Sequence, residues 1–214
     1  MSDLRARVLA HTVEAAPWLC PELTMRLITH ECPLWYRTEE EVVALGWSTP
    51  YWAFAWPGGQ ALARYLLDNP ACVRGLDVVD FGGGGGVEAL AAMRAGARRV
   101  TLTDLDAVAL EAATLNAARN DVAITCVGDD MLGRDLDADV LLAGDMFYDA
   151  ELAAQALAWM RRLAARGVLV LLGDPNRGNV PDEAVETLAV YEAPFGTDVR
   201  GNDLRATRVA RVRA

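Results

Sequence analysis

The chain has 214 residues, 53% of them apolar, and 30 acidic against 20 basic residues give a formal charge of −10. The apolar fraction excludes disorder, and the length is enough for one α/β domain with a sizeable core. The acidic balance excludes nonspecific nucleic-acid binding, which needs basic surface, and no apolar run approaches the roughly 20 residues that cross a bilayer.

The first residues, Met1-Ser2-Asp3-Leu4-Arg5, lack the charged-then-apolar pattern of a signal peptide, and no long Arg-rich, acid-poor leader follows. A cytoplasmic setting is expected. Helices are expected at 4–15 and 21–29, the second opened by Pro21 with Glu22 in its first turn. An aromatic-rich segment, 35–56, comes next, then a helix over 58–69 stopped by Pro70. Residues 1–57 read as a helical and aromatic cap on a core of 58–214, all within one domain.

From Leu76 the pattern alternates. Strands are expected at 76–81, 99–103, 123–127, 139–143 and 167–172, with helices at 87–95, 107–119 and 150–165. Such alternation implies a parallel sheet with helices on both faces. Two further strands, 189–195 and 205–213, joined by a hairpin-like return over 196–203, complete a Rossmann-like α/β fold. Its sheet has seven strands, mostly parallel, with one antiparallel strand.

The most telling stretch is Val78-Val79-Asp80-Phe81-Gly82-Gly83-Gly84-Gly85-Gly86-Val87-Glu88. An apolar strand runs into an acid, five glycines and a helix, which is the make-up of a cofactor cradle whose backbone N–H groups can approach a ligand. A dinucleotide turn, G-x-G-x-x-G/A, fits in one register, Gly84-x-Gly86-x-x-Ala89, late for a strand ending at Asp80. The pattern D-x-G-x-G-x-G fits without adjustment through Asp80, Gly82, Gly84 and Gly86, and it resembles the turn of class I S-adenosylmethionine-dependent methyltransferases.

Asp104 ends the next strand about 20 residues on, placed to accept bonds from ribose hydroxyls. Both NAD and S-adenosyl-L-methionine carry that ribose, so Asp104 points to a nucleoside without choosing between them. Asp106 reads as the N-cap of the helix over 107–119. Asp129, beyond the third strand, reads either as an acceptor for an adenine amino group or as a solvated turn residue. After the fourth strand come Gly144-Asp145-Met146-Phe147-Tyr148-Asp149. Two aromatics in a loop call for something to cover them, so a substrate pocket is expected there.

The cysteines, Cys20, Cys32, Cys72 and Cys126, form no C-x-x-C pair, and the histidines are His11 and His30 alone. No zinc site is expected, and disulfides are not needed at this size. His30 reads as a surface or loop residue. All 20 basic residues are arginine. A GC-rich genome accounts for that, but a lysine-modifying enzyme with this sequence has no lysine of its own to modify. The negative charge suits a basic partner or one presenting lysines.

Three segments carry a more specific resemblance. Trp56-Pro57-Gly58-Gly59-Gln60-Ala61-Leu62-Ala63-Arg64-Tyr65-Leu66-Leu67-Asp68-Asn69-Pro70, with Pro50-Tyr51-Trp52-Ala53 before it, resembles the segment preceding the cofactor loop of the electron-transfer flavoprotein β-subunit lysine methyltransferases. Gly144-Asp145-Met146-Phe147-Tyr148-Asp149 resembles that family's motif after strand four, and Gly173-Asp174-Pro175 with Arg177 its strand-five exit. The resemblance runs from about Pro21 to Arg177. The family tends to carry a serine and a cysteine among the loop glycines, where this sequence has glycine alone, and its animal members carry a mitochondrial leader that is not expected here, which implies a bacterial version.

The resemblance also implies roles. Asp80 and the backbone of Phe81, Gly82, Gly83 and Gly84 hold the methionine part of S-adenosyl-L-methionine, Asp104 the ribose and Asp129 the adenine, with Trp56 packed near the cofactor. Asp145 and Tyr148 line the lysine channel, with Tyr51, Trp52 and Phe147 as walls. The expected activity is methylation of a protein lysine, with the electron-transfer flavoprotein β-subunit as partner. The rival readings are a small-molecule N-methyltransferase acting on a pyridine or another free amine, and an NAD-binding oxidoreductase. Against the oxidoreductase stand the absence of lysine and the N-terminal position of both histidines.

Overall fold

The computed structural model describes residues 3–44, 49–194 and 204–214. Trp47 of the aromatic segment, Phe195 and the expected return over 196–203 lie outside the described residues.

The N-terminal part departs from expectation. Helix α1 (Asp3–His11) stops where Thr12 Oγ1 turns back to donate to the Val8 carbonyl at 2.6 Å. Two short strands follow, β1 (Val13–Ala15) and β2 (Met25–Leu27), paired antiparallel with Val13 opposite Leu27 and Ala15 opposite Met25. Residues 21–29 are therefore not a helix. Met25 and Leu27 point inward and Arg26 does not, a period of two that suits a strand. Helix α2 (Glu39–Ala44) and helix α3 (Pro57–Asp68) come next, with Pro57 at the first position of α3, where its missing N–H costs nothing.

The alternating core is strand β3 (Asp77–Phe81), helix α4 (Val87–Arg94), strand β4 (Arg99–Thr103), helix α5 (Ala107–Arg119), strand β5 (Thr125–Val127), strand β6 (Val140–Gly144), helix α6 (Ala150–Ala165) and strand β7 (Leu169–Asp174). Strands β8 (Val185–Pro194) and β9 (Leu204–Val212) close it. The helix starts have visible causes. Asp106 Oδ1 accepts from Val108 N at 2.8 Å, and Asp149 Oδ1 accepts from Glu151 N and Leu152 N at 3.0 and 2.9 Å.

Asn116 and Asn120 of α5 hold the small hairpin. Asn116 Oδ1 accepts from Arg26 N at 2.7 Å, and Asn120 accepts from Thr24 N while donating to Thr24 O. These amides satisfy the Thr24 and Arg26 backbone groups from outside the segment, where a helix over 21–29 would have paired Arg26 N and Thr24 O internally.

The seven-stranded sheet runs β5-β4-β3-β6-β7-β9-β8. The first five are mutually parallel, and β9 is antiparallel to both neighbours. Apolar side chains of α3, α4 and α5 form the core on one face, with Leu62, Leu66, Leu90 and Ala113 buried there. Trp159, Met160 and Leu163 of α6 form it on the other. Strand order reverses between β3 and β6, so a crevice opens beyond their carboxyl ends, where ligands bind in sheets of this kind. No helix among the described residues is long and apolar enough to cross a membrane.

Candidate active site

A cavity of about 590 Å³ occupies that crevice. One wall is the glycine turn after β3. Gly82, Gly84 and Gly86 have φ of +68°, +52° and +89°, the left-handed conformation that only glycine adopts without strain. These are the three glycines of the D-x-G-x-G-x-G pattern, so the second reading of the turn describes the backbone. The two glycines between them are required by space: a Cβ at Gly85 would lie 2.7 Å from the Trp52 carbonyl, and one at Gly83 2.7 Å from Asp80 Oδ2.

The turn does not present a row of free N–H groups. Gly82 N and Gly83 N both donate to the Thr103 carbonyl, Gly84 N donates to Asp104 Oδ2, and Gly86 N donates to the Gly83 carbonyl. Donors spent internally make a poor cradle for pyrophosphate and leave a smooth wall beside acidic groups. That suits a cofactor bearing positive charge.

Asp104 lies at the end of β4 on the cavity wall, its carboxylate oriented by Gly84 N and Asp106 N, each at 2.9 Å. Burial raises its pKa, and those amides work against the rise. Asp129 lines the cavity from beyond β5, exposed, with Arg134 at 3.5 Å. Trp56 also lines it, its Nε1 donating to the Tyr51 carbonyl at 2.8 Å. Tyr51 is exposed and Trp52 buried, and both border the cavity. Tyr148 is 62% exposed at the cavity's edge.

Two expected roles, those of Asp80 and Phe147, need correction. Asp80 does not line the cavity. It is fully buried beneath the turn, where Oδ2 accepts from Ala89 N at 3.1 Å and Oδ1 has no partner among the described residues. Strand alternation explains this, because Val78 and Asp80 face α4 while Val79 and Phe81 face away. Phe147 is not a cavity wall: it is 2% exposed and packed in the core beside α6, while its neighbour Tyr148 points to the surface. Asp145 borders the cavity with its carboxylate engaged. Its Oδ2 accepts from Gly58 N and Gly59 N at 2.5 and 3.1 Å, and its Oδ1 pairs with Arg177 at 2.9 Å. The side chain caps α3 and neutralises a guanidinium while still facing the cavity. Burial raises its pKa, while Arg177 and the two amides oppose that.

Glu88, in the first turn of α4, went unrecognised in the sequence. It is 4% exposed, yet its side chain borders the cavity. An acid early in a helix reads as an ordinary partner for the helix dipole, and the fully buried neighbours Ala89 and Leu90 were the available warning.

Burial, with a lesser push from the Asp104 charge, raises the Asp80 pKa from 3.8 to about 7. The folded state thus holds this proton more tightly than the unfolded chain. The stability it contributes is full below the ordinary carboxylate range and is lost as pH rises through about 7. The cofactor-free protein should therefore lose stability from Asp80 as pH rises from about 4 to about 7. Asp80→Asn keeps an acceptor for Ala89 N and removes that loss. Its melting temperature is expected to vary less between pH 5 and 8 than that of the parent, with Glu88 supplying the residual slope. An unchanged slope would contradict the assignment.

A model of the ribosomal protein L11 methyltransferase family (PrmA) matches residues 61–146. The electron transfer flavoprotein beta subunit lysine methyltransferase of Xenopus laevis is 42% identical over 200 residues, spanning 90% of this chain and 80% of that protein. The chain belongs to this methyltransferase family. Among solved structures, the ribosomal protein L11 methylase of Lactobacillus delbrueckii subsp. bulgaricus matches with a TM-score of 0.50 and 24% identity, over 71% of this chain and 76% of that one. The magnesium protoporphyrin IX methyltransferase of Synechocystis PCC 6803, with bound SAM, matches with a TM-score of 0.53 and 16% identity, over 73% and 78%. Both support the fold.

The chain is thus an S-adenosyl-L-methionine-dependent methyltransferase, and the NAD reading falls away. The site fits the family's cofactor. At Gly83 and Gly85 the wall has no space for a Cβ, and two amides hold the Asp104 carboxylate on the cavity wall.

Proposed function

We propose that this chain methylates lysine side chains of the electron-transfer flavoprotein β-subunit. The match to the Xenopus relative, 42% identical, spans 90% of the chain, and this observation carries the reading. The exposed aromatic rim of Tyr51 and Tyr148 over an acidic cavity supports a lysine entering end-on. The family name belongs to the relatives, and the same partner is the one an acidic, lysine-free surface suits.

In this reading residues 1–57 form a cap on a catalytic core of 58–214 within one domain. The turn from Phe81 to Gly84 flanks the methionine part of the cofactor, Asp104 takes the ribose, Asp129 the adenine, and Trp56 packs alongside. The cofactor supplies a methyl group on a sulfonium. A lysine with a pKa of about 10.4 is only about 0.1% neutral near pH 7.4, a cost of roughly 4 kcal/mol. Tyr51, Trp52 and Tyr148 strip water from the ammonium and lower that pKa. Asp145 aims it, with a pull tempered by Arg177. Proton loss to water precedes transfer, and positioning supplies the rest. A cytoplasmic setting belongs to the same reading, and four unpaired cysteines suit a reducing compartment.

Turnover with the intact flavoprotein should exceed turnover with pyridine, free lysine and other small amines at equal concentration. A pyridine or another small amine that outcompetes the flavoprotein would replace this proposal with the small-molecule reading.

A further inference from the structure

The cavity floor carries more negative charge than the protein balances. Asp145 faces it from the end of β6, Asp104 from the end of β4 and Glu88 from α4, with Asp80 buried beneath the turn. The guanidinium set against them is Arg177, which is engaged with Asp145. The four acids differ in what they have left to offer. Asp80 is off the cavity, Asp104 is held by two amides, and Asp145 is held by two amides and the guanidinium.

Glu88 also accepts from two amides, its own and that of Gly144, but its side chain borders the cavity wedged between Gly59 of α3 and Gly144 of β6, 3.4 Å from where a Cβ on Gly59 would sit. Among the described residues it has no ion pair. Desolvation and the charges of Asp80 and Asp145 push its pKa well up. Such a carboxylate is costly unless a cation with hydrogen-bond donors arrives to meet it. Two positive groups come with this methyltransferase's cofactor, a sulfonium with no N–H or O–H and a primary α-ammonium with three N–H donors.

We propose that Glu88 is the counter-ion for the α-ammonium of the bound cofactor. The inference rests on the cofactor, independently of the protein substrate. It makes Glu88 a binding residue that fixes the methionine end at the junction of α3, α4 and β6. A side-chain amide would keep the shape and lose the charge.

Calorimetry with two ligands tests it: S-adenosyl-L-homocysteine, and the same thioether lacking only the α-amino group, S-adenosyl-4-thiobutyrate. Glu88→Gln is expected to weaken the homocysteine ligand by about 10- to 100-fold and the desamino ligand by no more than about twofold. Equal losses for both ligands would overturn the proposal in favour of a structural role, and so would no loss for either. Glu88→Met, of similar volume and without charge, gives the same readout should the glutamine variant fail to fold. Binding of S-adenosyl-L-homocysteine by the parent chain checks the cofactor itself, so failure of the flavoprotein reading stays distinguishable from failure of this one.

Discussion

Asp145→Ala is expected to lower methyl transfer by about 100-fold or more and to lower the melting temperature by about 5–10 °C. The two effects have separate causes. The carboxylate satisfies the first amides of α3 and pairs with Arg177, so its removal strips a helix cap and a largely buried ion pair. Losing one partner of a fully buried pair costs about 3–5 kcal/mol, and the one-quarter exposure of Arg177 reduces that. Asp145→Asn separates structure from chemistry. Asparagine keeps an acceptor for Gly58 N and Gly59 N, so it should melt well above the alanine variant. If the charge aims the substrate ammonium, the asparagine variant should still be nearly inactive while binding S-adenosyl-L-homocysteine as the parent does. An active asparagine variant would reduce Asp145 to a cap for α3.

Gly58→Ala should be strongly damaging. Its Cβ would lie 2.5 Å from Asp145 Oδ2 and 2.8 Å from Asp145 N, with the Gly173 carbonyl closer still. Those backbone atoms belong to the ends of β6 and β7, which are fixed in the middle of the sheet, so α3 would have to move out. Overpacking of this kind costs about 1–3 kcal/mol, and rigid backbone neighbours place this case at the upper end or beyond. A melting temperature at least about 5 °C below the parent is expected, or no soluble protein. Gly59→Ala is the control. There a Cβ would meet Val87 Cγ1 at 3.1 Å and the Glu88 side chain at 3.4 Å, groups with some freedom to yield. Equal melting of the two variants would contradict the packing described at this junction.

The legibility of this chain varied with how local the causes were. Helices α5 and α6 start where the pattern places them, because Asp106 and Asp149 cap their N-termini. Strand β4 matches 99–103 for a similar reason, an alternation with Val100 and Leu102 buried that is ended by an acid. The segment at 21–29 misled because the groups that make it extended, Asn116 and Asn120, lie about 90 residues on in another helix. Phe147 and Tyr148 looked like a pair, but a turn sends adjacent side chains in different directions, one into the core and one to the rim. Asp80 belongs to a recognisable motif, yet only the direction of the strand pleat shows that it supports the turn from beneath. Glu88 became visible as a site residue only once α3, α4 and β6 met around it.

The most direct test of the central claim uses the purified chain, recombinant electron-transfer flavoprotein and radiolabelled S-adenosyl-L-methionine, with mass spectrometry of the β-subunit. The account predicts label on that subunit, in lysine side chains, dependent on the enzyme. A flavoprotein that stays unlabelled, while calorimetry shows the cofactor bound, would leave the methyltransferase fold standing and remove the β-subunit as its substrate.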